Sequence, residues 1–314
     1  MPGTPPWYTV EHSAILAIKG SKRMSARIIS PYANDPELWQ RGNLHTHTTE
    51  SDGARPPQVV VDAYAARGYD FLAISDHDAL VDPDTLNPRG MTLIPANEVT
   101  ANGPHILHVD ARRQVPPDPD RQDVLNAIAE DHGFAVIPHP NWEPNFQHCP
   151  QQCIENWTGY IGIEIYNGVV RRLNGNPQAT DRWDQLLGQG RRVWGFAHDD
   201  GHDICDDANA WNVVQCADRN PGEIVQALRN GRFYASTGVT IDAVRVYGST
   251  ICVQTRDAEC IIAYSDFGHR EMKVEDATMV FTVPDSPSFT YVRFECWGRG
   301  ERMAWTQPLW IKQI

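Results

Sequence analysis

The chain has 314 residues, enough for one large domain or for one large and one small domain. Hydrophobic residues make up 41% and charged residues 21%, ordinary globular usage that excludes a disordered or collagen-like chain. Lys and Arg total 27 against 40 Asp and Glu, a formal net charge of −13, so the bulk field repels polyanions and argues against nonspecific nucleic-acid binding and against an anionic membrane surface.

The start lacks a basic leader with a small-residue cleavage site, and no run of ~18 apolar residues occurs, so the expectation is an unexported, cytoplasmic chain without a membrane span. After a Pro-rich opening, apolar stretches at 14–18 and 28–29 read as strands. From about Asn43, short apolar runs at 71–74, 93–94, 106–107, 134–137, 161–165, 193–197 and 213–214 alternate with amphipathic segments at 57–67, 121–132 and 182–187. Gly68 and Gly133 stand where C-terminal caps belong, and Asn220 followed by Pro221 predicts a helix that closes at Gly231. Strands alternating with helices imply parallel βα units, and this many of them suggest a barrel more than a two-layer sandwich.

Past Gly231 the helical period disappears, and strands are expected at 239–246, 251–255, 260–264, 278–283 and 291–297. This tail reads as a small sandwich-like β appendage, which the N-terminal strands could join because chain termini often lie close together. The expected division is 1–40 for the N-terminal strands, 41–235 for the barrel and 236–314 for the appendage. Seven Cys without a CxxC pair indicate reduced thiols, neither a disulfide framework nor a thiolate zinc site.

Ten of the twelve His lie between residues 45 and 202, many directly after a predicted strand. In a βα barrel the loops after the strands open onto one face, so these imidazoles can converge in space. His45 and His47 alternate along a strand and can reach one cation. Asp76-His77-Asp78 ends a buried apolar run, where bare polar groups are costly and require a metal or a hydrogen-bond network. Glu98 ends another strand, with His105 and His108 shortly after it, and a carboxylate can bridge two cations. His139 follows Ile137-Pro138, and Asp200-Gly201-His202 supplies an oxygen ligand and an imidazole two residues apart.

These positions resemble the PHP (polymerase and histidinol phosphatase) family of metal-dependent hydrolases. HTHTTESDG at 45–53, GYDFLAISDHD at 68–78, EVT at 98–100, PHP at 138–140 and the Asp-x-His of 200–202 carry the likeness, over about residues 40–235. The resemblance implies a distorted (β/α)7 barrel. It also implies His45, His47, Glu98 and Asp200 around one metal, with Glu98 shared by a second that uses His139 and His105 or His108. Asp52, His77 and His202 correspond to ligands of a further metal position, for two or three ions in all. GRFYASTG at 231–238 followed by a β appendage resembles the branch of carbaryl hydrolase-type proteins.

Mixed His and carboxylate ligation without thiolate suits Zn, Mn or Fe, and a hydrolase of this kind needs no organic cofactor. Such metals make hydroxide available at neutral pH, and His198 or Asp199 is expected to protonate the leaving group. Arg171 and Arg172 stand beyond the strand that ends near Asn167, so Arg171 and Asn167 are expected to contact a small substrate. Three readings follow: a phosphoesterase, first because metals let an acidic protein receive an anionic substrate; a carboxylic ester or carbamate hydrolase; and a noncatalytic metal-binding module. The sequence does not specify an oligomeric state.

Overall fold

The computed structural model describes residues 26–34 and 38–313, and the strand expected at 14–18 lies outside them. In chain order the first half carries β1 (Ala26–Ile29), β2 (Leu38–Asn43), α1 (Pro57–Ala66), β3 (Phe71–Leu72), β4 (Thr92–Leu93), β5 (Ala96–Val99), β6 (Ile106–Val109), α2 (Arg121–Glu130) and β7 (Phe134–Ile137). Then come α3 (Gln151–Asn156), β8 (Tyr160–Asn167), α4 (Thr180–Gly188), β9 (Trp194–His198), β10 (Trp211–Cys216), α5 (Pro221–Arg229) and β11 (Phe233–Ser236). Strands alone complete the chain: β12 (Ile241–Tyr247), β13 (Thr250–Thr255), β14 (Ala258–Ser265), β15 (His269–Val274), β16 (Thr278–Thr282), β17 (Tyr291–Gly298), β18 (Met303–Thr306) and β19 (Leu309–Gln313).

Local chemistry explains the helix ends. The Asn220 side chain accepts from the Gly222 amide with Pro221 at the first position of α5, and Asp120 caps α2 through the Gln122 amide. Gly68 closes α1 at φ +75°, whereas after α2 the left-handed position falls on His132 at φ 67°. Gly133 is needed for close approach instead, since a Cβ there would lie 2.3 Å from His108 Nε2.

The architecture is mixed α/β, and the expected closed (β/α)7 barrel is not shown. One sheet runs β1-β19-β17-β18-β11-β10-β2-β3-β4, with β14 and β15 branching from β17, and a second runs β5-β6-β7-β8-β9. Parallel pairing holds for β2-β3-β4 and for β7-β8-β9. By contrast β6 runs antiparallel to both β5 and β7, because the link from β5 to β6 is too short for a crossover and reverses that strand alone. Single bridges, Thr46 to Gly201 and His77 to Glu98, join backbone between the two sheets, and both lie at the histidine-rich edge.

The C-terminal strands are continuous with this framework. β17 and β18 pair with each other and β18 pairs with β11, while β1 pairs with β19 from Ala26↔Gln313 to Ile29↔Trp310. A third sheet, β12-β13-β16, shares one core with them: Ile251, Val253 and Phe281 pack in the same cluster as Ile261, Val292 and Phe294. All seven cysteines are free, and among the described residues no helix is long and apolar enough to cross a membrane.

Candidate metal centre

Beyond Asn43 the chain stays extended through His47, tied across the sheet gap where the Asp200 amide donates to the His45 carbonyl and the His47 amide to the Gly201 carbonyl, both at 2.9 Å. Alternation then sets the His45 and His47 rings side by side, centroids 5.1 Å apart. The two acids flanking His77 fasten loops. Asp76 accepts from the Thr48 amide (2.7 Å), the Thr48 hydroxyl (2.6 Å) and the Ser51 hydroxyl (2.5 Å), and Asp78 accepts from the Thr100 and Ala101 amides. His77 is thereby held between the segment carrying Asp52 and the strand carrying Glu98.

Glu98, fully buried on β5, is the hub. Its Oε1 lies 3.3 Å from His45 Nε2, 3.1 Å from His105 Nδ1 and 3.0 Å from His139 Nε2. Its Oε2 lies 2.8 Å from His77 Nδ1 and 3.7 Å from His47 Nε2. Asp200 Oδ1 stands 3.2 Å from His45 Nε2 and 3.0 Å from His47 Nε2. Nearer solvent, Asp52 Oδ1 is 3.5 Å from His77 Nε2 and 3.3 Å from His202 Nε2. Two residues of the centre, His139 (φ 29°) and Asp200 (φ 52°), adopt left-handed backbone, a strain that clusters at functional sites.

These residues fit a divalent cation on two observations. Atoms that share an ion at ~2.1 Å sit about 3.0–3.4 Å from one another, the spacing found around Glu98 and Asp200. In addition, His45 Nε2, His47 Nε2, His77 Nδ1, Glu98 Oε2 and Asp200 Oδ1 are buried and make no hydrogen bond. At ~1–3 kcal/mol per orphaned polar group, five of them cost on the order of a whole domain's net stability. Cations at their common focus would relieve that cost. Overlapping donor groups, including His45-His47-Glu98, His45-His139-Asp200 and His47-Asp52-His77-His202, could hold them.

Glu164 on β8, buried and unassigned by sequence reasoning, organises the centre from behind. Its carboxylate contacts His45 Nδ1 (2.6 Å) and His198 Nδ1 (2.8 Å), and accepts from the His139 amide (2.7 Å) and Asn167 Nδ2 (2.8 Å). A carboxylate on Nδ1 fixes the ring and its tautomer, leaving His45 Nε2 free toward Glu98 and Asp200. The signal in the sequence was a charged residue inside the apolar run Ile163-Glu164-Ile165.

Without a bound cation, protons take the place of positive charge. Burial opposes a charge on His45, but Asp200, Glu98 and Glu164 outweigh it and hold its pKa well above the usual value. Burial is likewise overcome at His77 by Asp52 and Glu98, which push its pKa up to about 10, and at His202 by Asp52 and Asp200. Burial raises Glu98 and Asp200, yet the surrounding imidazoles win and hold both well below the usual carboxylate range.

The centre opens on a cavity of about 240 Å³ lined by Asp52, His77, His105, His139, Asp200 and His202 together with Trp142, Val169, Arg172 and Leu173. Several expected residues lie elsewhere. His108 stays buried in the wall, 3.4 Å from Asp131, so His105 is the member of that pair at Glu98. His198 is fully buried against Glu164, and Asp199 accepts from Tyr64 Oη and from the amides of Ala208, Asn209 and Ala210. Neither lines the cavity, which removes the geometric basis for their role as proton donors. Burial pushes the Asp199 carboxyl up to about 7. Asn167 is also buried, donating to Glu164 and to Asp200 rather than facing substrate. Arg171 points to Asn209 and Glu301, and Arg172 is the guanidinium at the cavity.

No protein-family model matches the chain, and no curated protein matches it. Among solved structures, it is similar to a two-domain protein of Bacteroides vulgatus that contains a predicted PHP-like metal-dependent phosphoesterase, with 17% identity, 94% of this chain and 92% of that chain covered, and a TM-score of 0.50. Similarity also extends to an amidohydrolase of Chromobacterium violaceum (16% identity, 61% of this chain and 96% of that one, TM-score 0.41) and to a lesion-specific endonuclease of Pyrococcus furiosus (11% identity, 62% and 56%, TM-score 0.44). The chain shares its fold with the PHP-like protein; the carbaryl hydrolase-type branch finds no support in these likenesses.

Proposed function

We propose that the chain is a metal-dependent hydrolase of PHP type, acting as a phosphoesterase on a small phosphate mono- or diester through two or three divalent ions of Zn, Mn or Fe. One observation carries the reading: a fully buried carboxylate, Glu98, stands within 2.8–3.7 Å of five imidazoles, of which His77, His105 and His139 line an open cavity. His45, His47, Glu98 and Asp200 would hold one ion, Glu98 with His105 and His139 a second, and Asp52, His77 and His202 a third. Bound there, divalent ions supply Lewis acidity toward substrate oxygens and make hydroxide accessible at neutral pH.

The chain's own residues do the remaining work. Glu164 orients His45 and fixes the His139 backbone, and Asn167 aims the Asp200 carboxylate. Asp76 and Asp78 keep the loops of Asp52 and Glu98 in register. The seven free thiols fit the reducing cytoplasm.

Purified protein is expected to carry divalent metal, and chelation is expected to abolish turnover in an assay run in parallel on aryl phosphates, phosphodiesters and aryl esters. Turnover of esters alone would replace the phosphoesterase by a carboxylic ester or carbamate hydrolase. Bound metal without turnover of any class would favour a noncatalytic module.

A further inference from the structure

Beside the histidines the cavity is lined by Trp142, Val169, Arg172 and Leu173, none of them a member of the metal centre, and the composition of this wall is specific. Trp142 packs its ring 5.2 Å from that of His139 and 4.8 Å from that of His148, while its amide donates to the His139 carbonyl. His148 in turn accepts from the His105 amide at 3.1 Å, so Trp142 is fixed relative to two residues of the centre. Val169, Arg172 and Leu173 come from the turn after β8, which the Gly168 amide anchors to the His198 carbonyl at 2.8 Å. A Cβ on Gly168 would lie 2.8 Å from the Asp199 carbonyl, so this turn docks directly on the segment bearing Asp200.

Charge on this wall is cancelled. Arg172, the one Lys or Arg that lines the cavity among the described residues, gives Nε and one terminal nitrogen to Asp206 at 2.7 and 2.8 Å. Asp206 is itself buried and also accepts from the His202 amide. The pair is therefore net neutral, with the outward N–H groups of Arg172 still available as donors. Leu173 keeps 41% of its surface exposed at the mouth, an apolar side chain facing solvent where a ligand can cover it. The volume, about 240 Å³, falls below the ~300–1,000 Å³ of sites for drug-sized ligands.

We propose that Trp142, Val169 and Leu173 form a subsite for a small, uncharged, apolar group of the substrate, an aryl or compact alkyl substituent, with Arg172 pinned by Asp206 as a hydrogen-bond donor at its edge. This deepens the hydrolase reading and rests on it for the placement of the reacting group, but it holds whether that group is a phosphate or a carboxylic ester. A polyanionic or polymeric substituent finds no free cation on this wall.

Phenylphosphonate and methylphosphonate, which are not hydrolysed, test this as ligands of the full chain loaded with Mn2+ and followed by calorimetry. The phenyl compound is expected to bind about tenfold tighter, the preference that apolar burial of a ring supplies. Leu173→Ser, at an exposed position, is expected to cut that preference by roughly threefold, and Arg172→Gln to weaken both compounds alike. A wild-type preference near unity, or a preference unmoved by Leu173→Ser, overturns the subsite. The parallel assay of phosphate and carboxylic esters separates the two failures. Turnover without phenyl preference removes the subsite and keeps the hydrolase; phenyl preference without any turnover keeps the apolar subsite and removes the hydrolase.

Discussion

Two buried charged clusters in this molecule differ in one respect, and that respect separates architecture from chemistry. Where α4 meets β17, Arg293 donates to Asp184 at 2.7 and 2.6 Å and to Glu295 at 2.8 Å, and Tyr291 Oη donates to Asp184 at 3.2 Å. Every nitrogen of that guanidinium has a carboxylate oxygen, so the cluster is complete within the chain. Around Glu98 the groups are equally buried, but inward atoms of His45, His47, His77 and Asp200 converge without closing into hydrogen bonds. Self-satisfied polar groups hold a fold together, whereas converging unsatisfied ones await a ligand.

The largest expected effect tests the second half of that statement. Glu98→Gln keeps the shape of the side chain and removes the charge shared by five imidazoles. It is expected to lower bound metal and to cut kcat/KM by at least about a thousandfold, with the far-UV circular dichroism unchanged. Metal content and turnover near wild type would show that Glu98 is not the hub.

Asp184→Asn tests the first half. Breaking the buried cluster from one side leaves Arg293 with Glu295 as its remaining counter-charge, so unfolding in urea is expected to show a loss of about 3 kcal/mol, the low end for a broken buried pair. Turnover per bound metal is expected to persist, because Asp184 lies outside the cavity. A loss of turnover at full metal occupancy would break the contrast.

His108 sharpens the comparison by being an exception. Both of its ring nitrogens are buried without a hydrogen bond, as in the metal centre, yet among the described residues a single carboxylate, Asp131 at 3.4 Å, pairs with it. Burial therefore dominates and lowers its pKa from 6.5 to about 4. The unfolded chain takes up that proton first, so stability is whole above pH 6.5 and declines as the pH falls toward 4, by about 3 kcal/mol for this residue. The difference in unfolding free energy between wild type and His108→Gln, measured across that window, should follow this slope; a flat difference would mean that His108 is not buried in its neutral form. An orphaned imidazole alone is thus not a site, and converging carboxylates make the difference.

The same contrast explains what the sequence made legible. Glu98, His139 and Asp200 could be grouped because each stands at the end of a predicted strand, and His45 and His47 joined them because alternation along a strand puts both on one side. The choice between His105 and His108 depended on where β6 begins: residues three apart on extended backbone face opposite ways, and only His105 turns toward Glu98. Arg171 and Arg172 diverge because they share a 3-10 turn, in which each step rotates the side chain by about 120°. Glu164 stood out as a charge inside an apolar run, but its role was not legible since its partners lie far from it in the chain, at His45 and His198. The closed barrel failed on a length, the short link that makes β5 and β6 a hairpin, and a pattern of alternating helices and strands does not weigh such a link.

The smallest expected effect concerns protons, and it follows from the surplus of carboxylate that defines the centre. Asp52 and Glu98 overcome burial and push His77 up to about 10, and His45 and His202 are raised in the same direction. In the metal-free protein His45 and His77 hold protons at neutral pH on the nitrogens a cation needs, so binding must expel them. For an ordinary imidazole with a pKa near 6.5, affinity would stop rising once the pH passed that value. Here each such proton is expected to steepen the dependence by up to about tenfold per pH unit, equivalent to ~1.4 kcal/mol, and the rise should continue through pH 8 and 9. Calorimetry with Mn2+ in two buffers of different ionisation enthalpy reads the protons released directly. Release of at least one proton per chain at pH 8 is the expected result; affinity that is flat above pH 7 would mean that the carboxylates do not govern these rings, and the contrast with the closed Arg293 cluster would lose its physical basis.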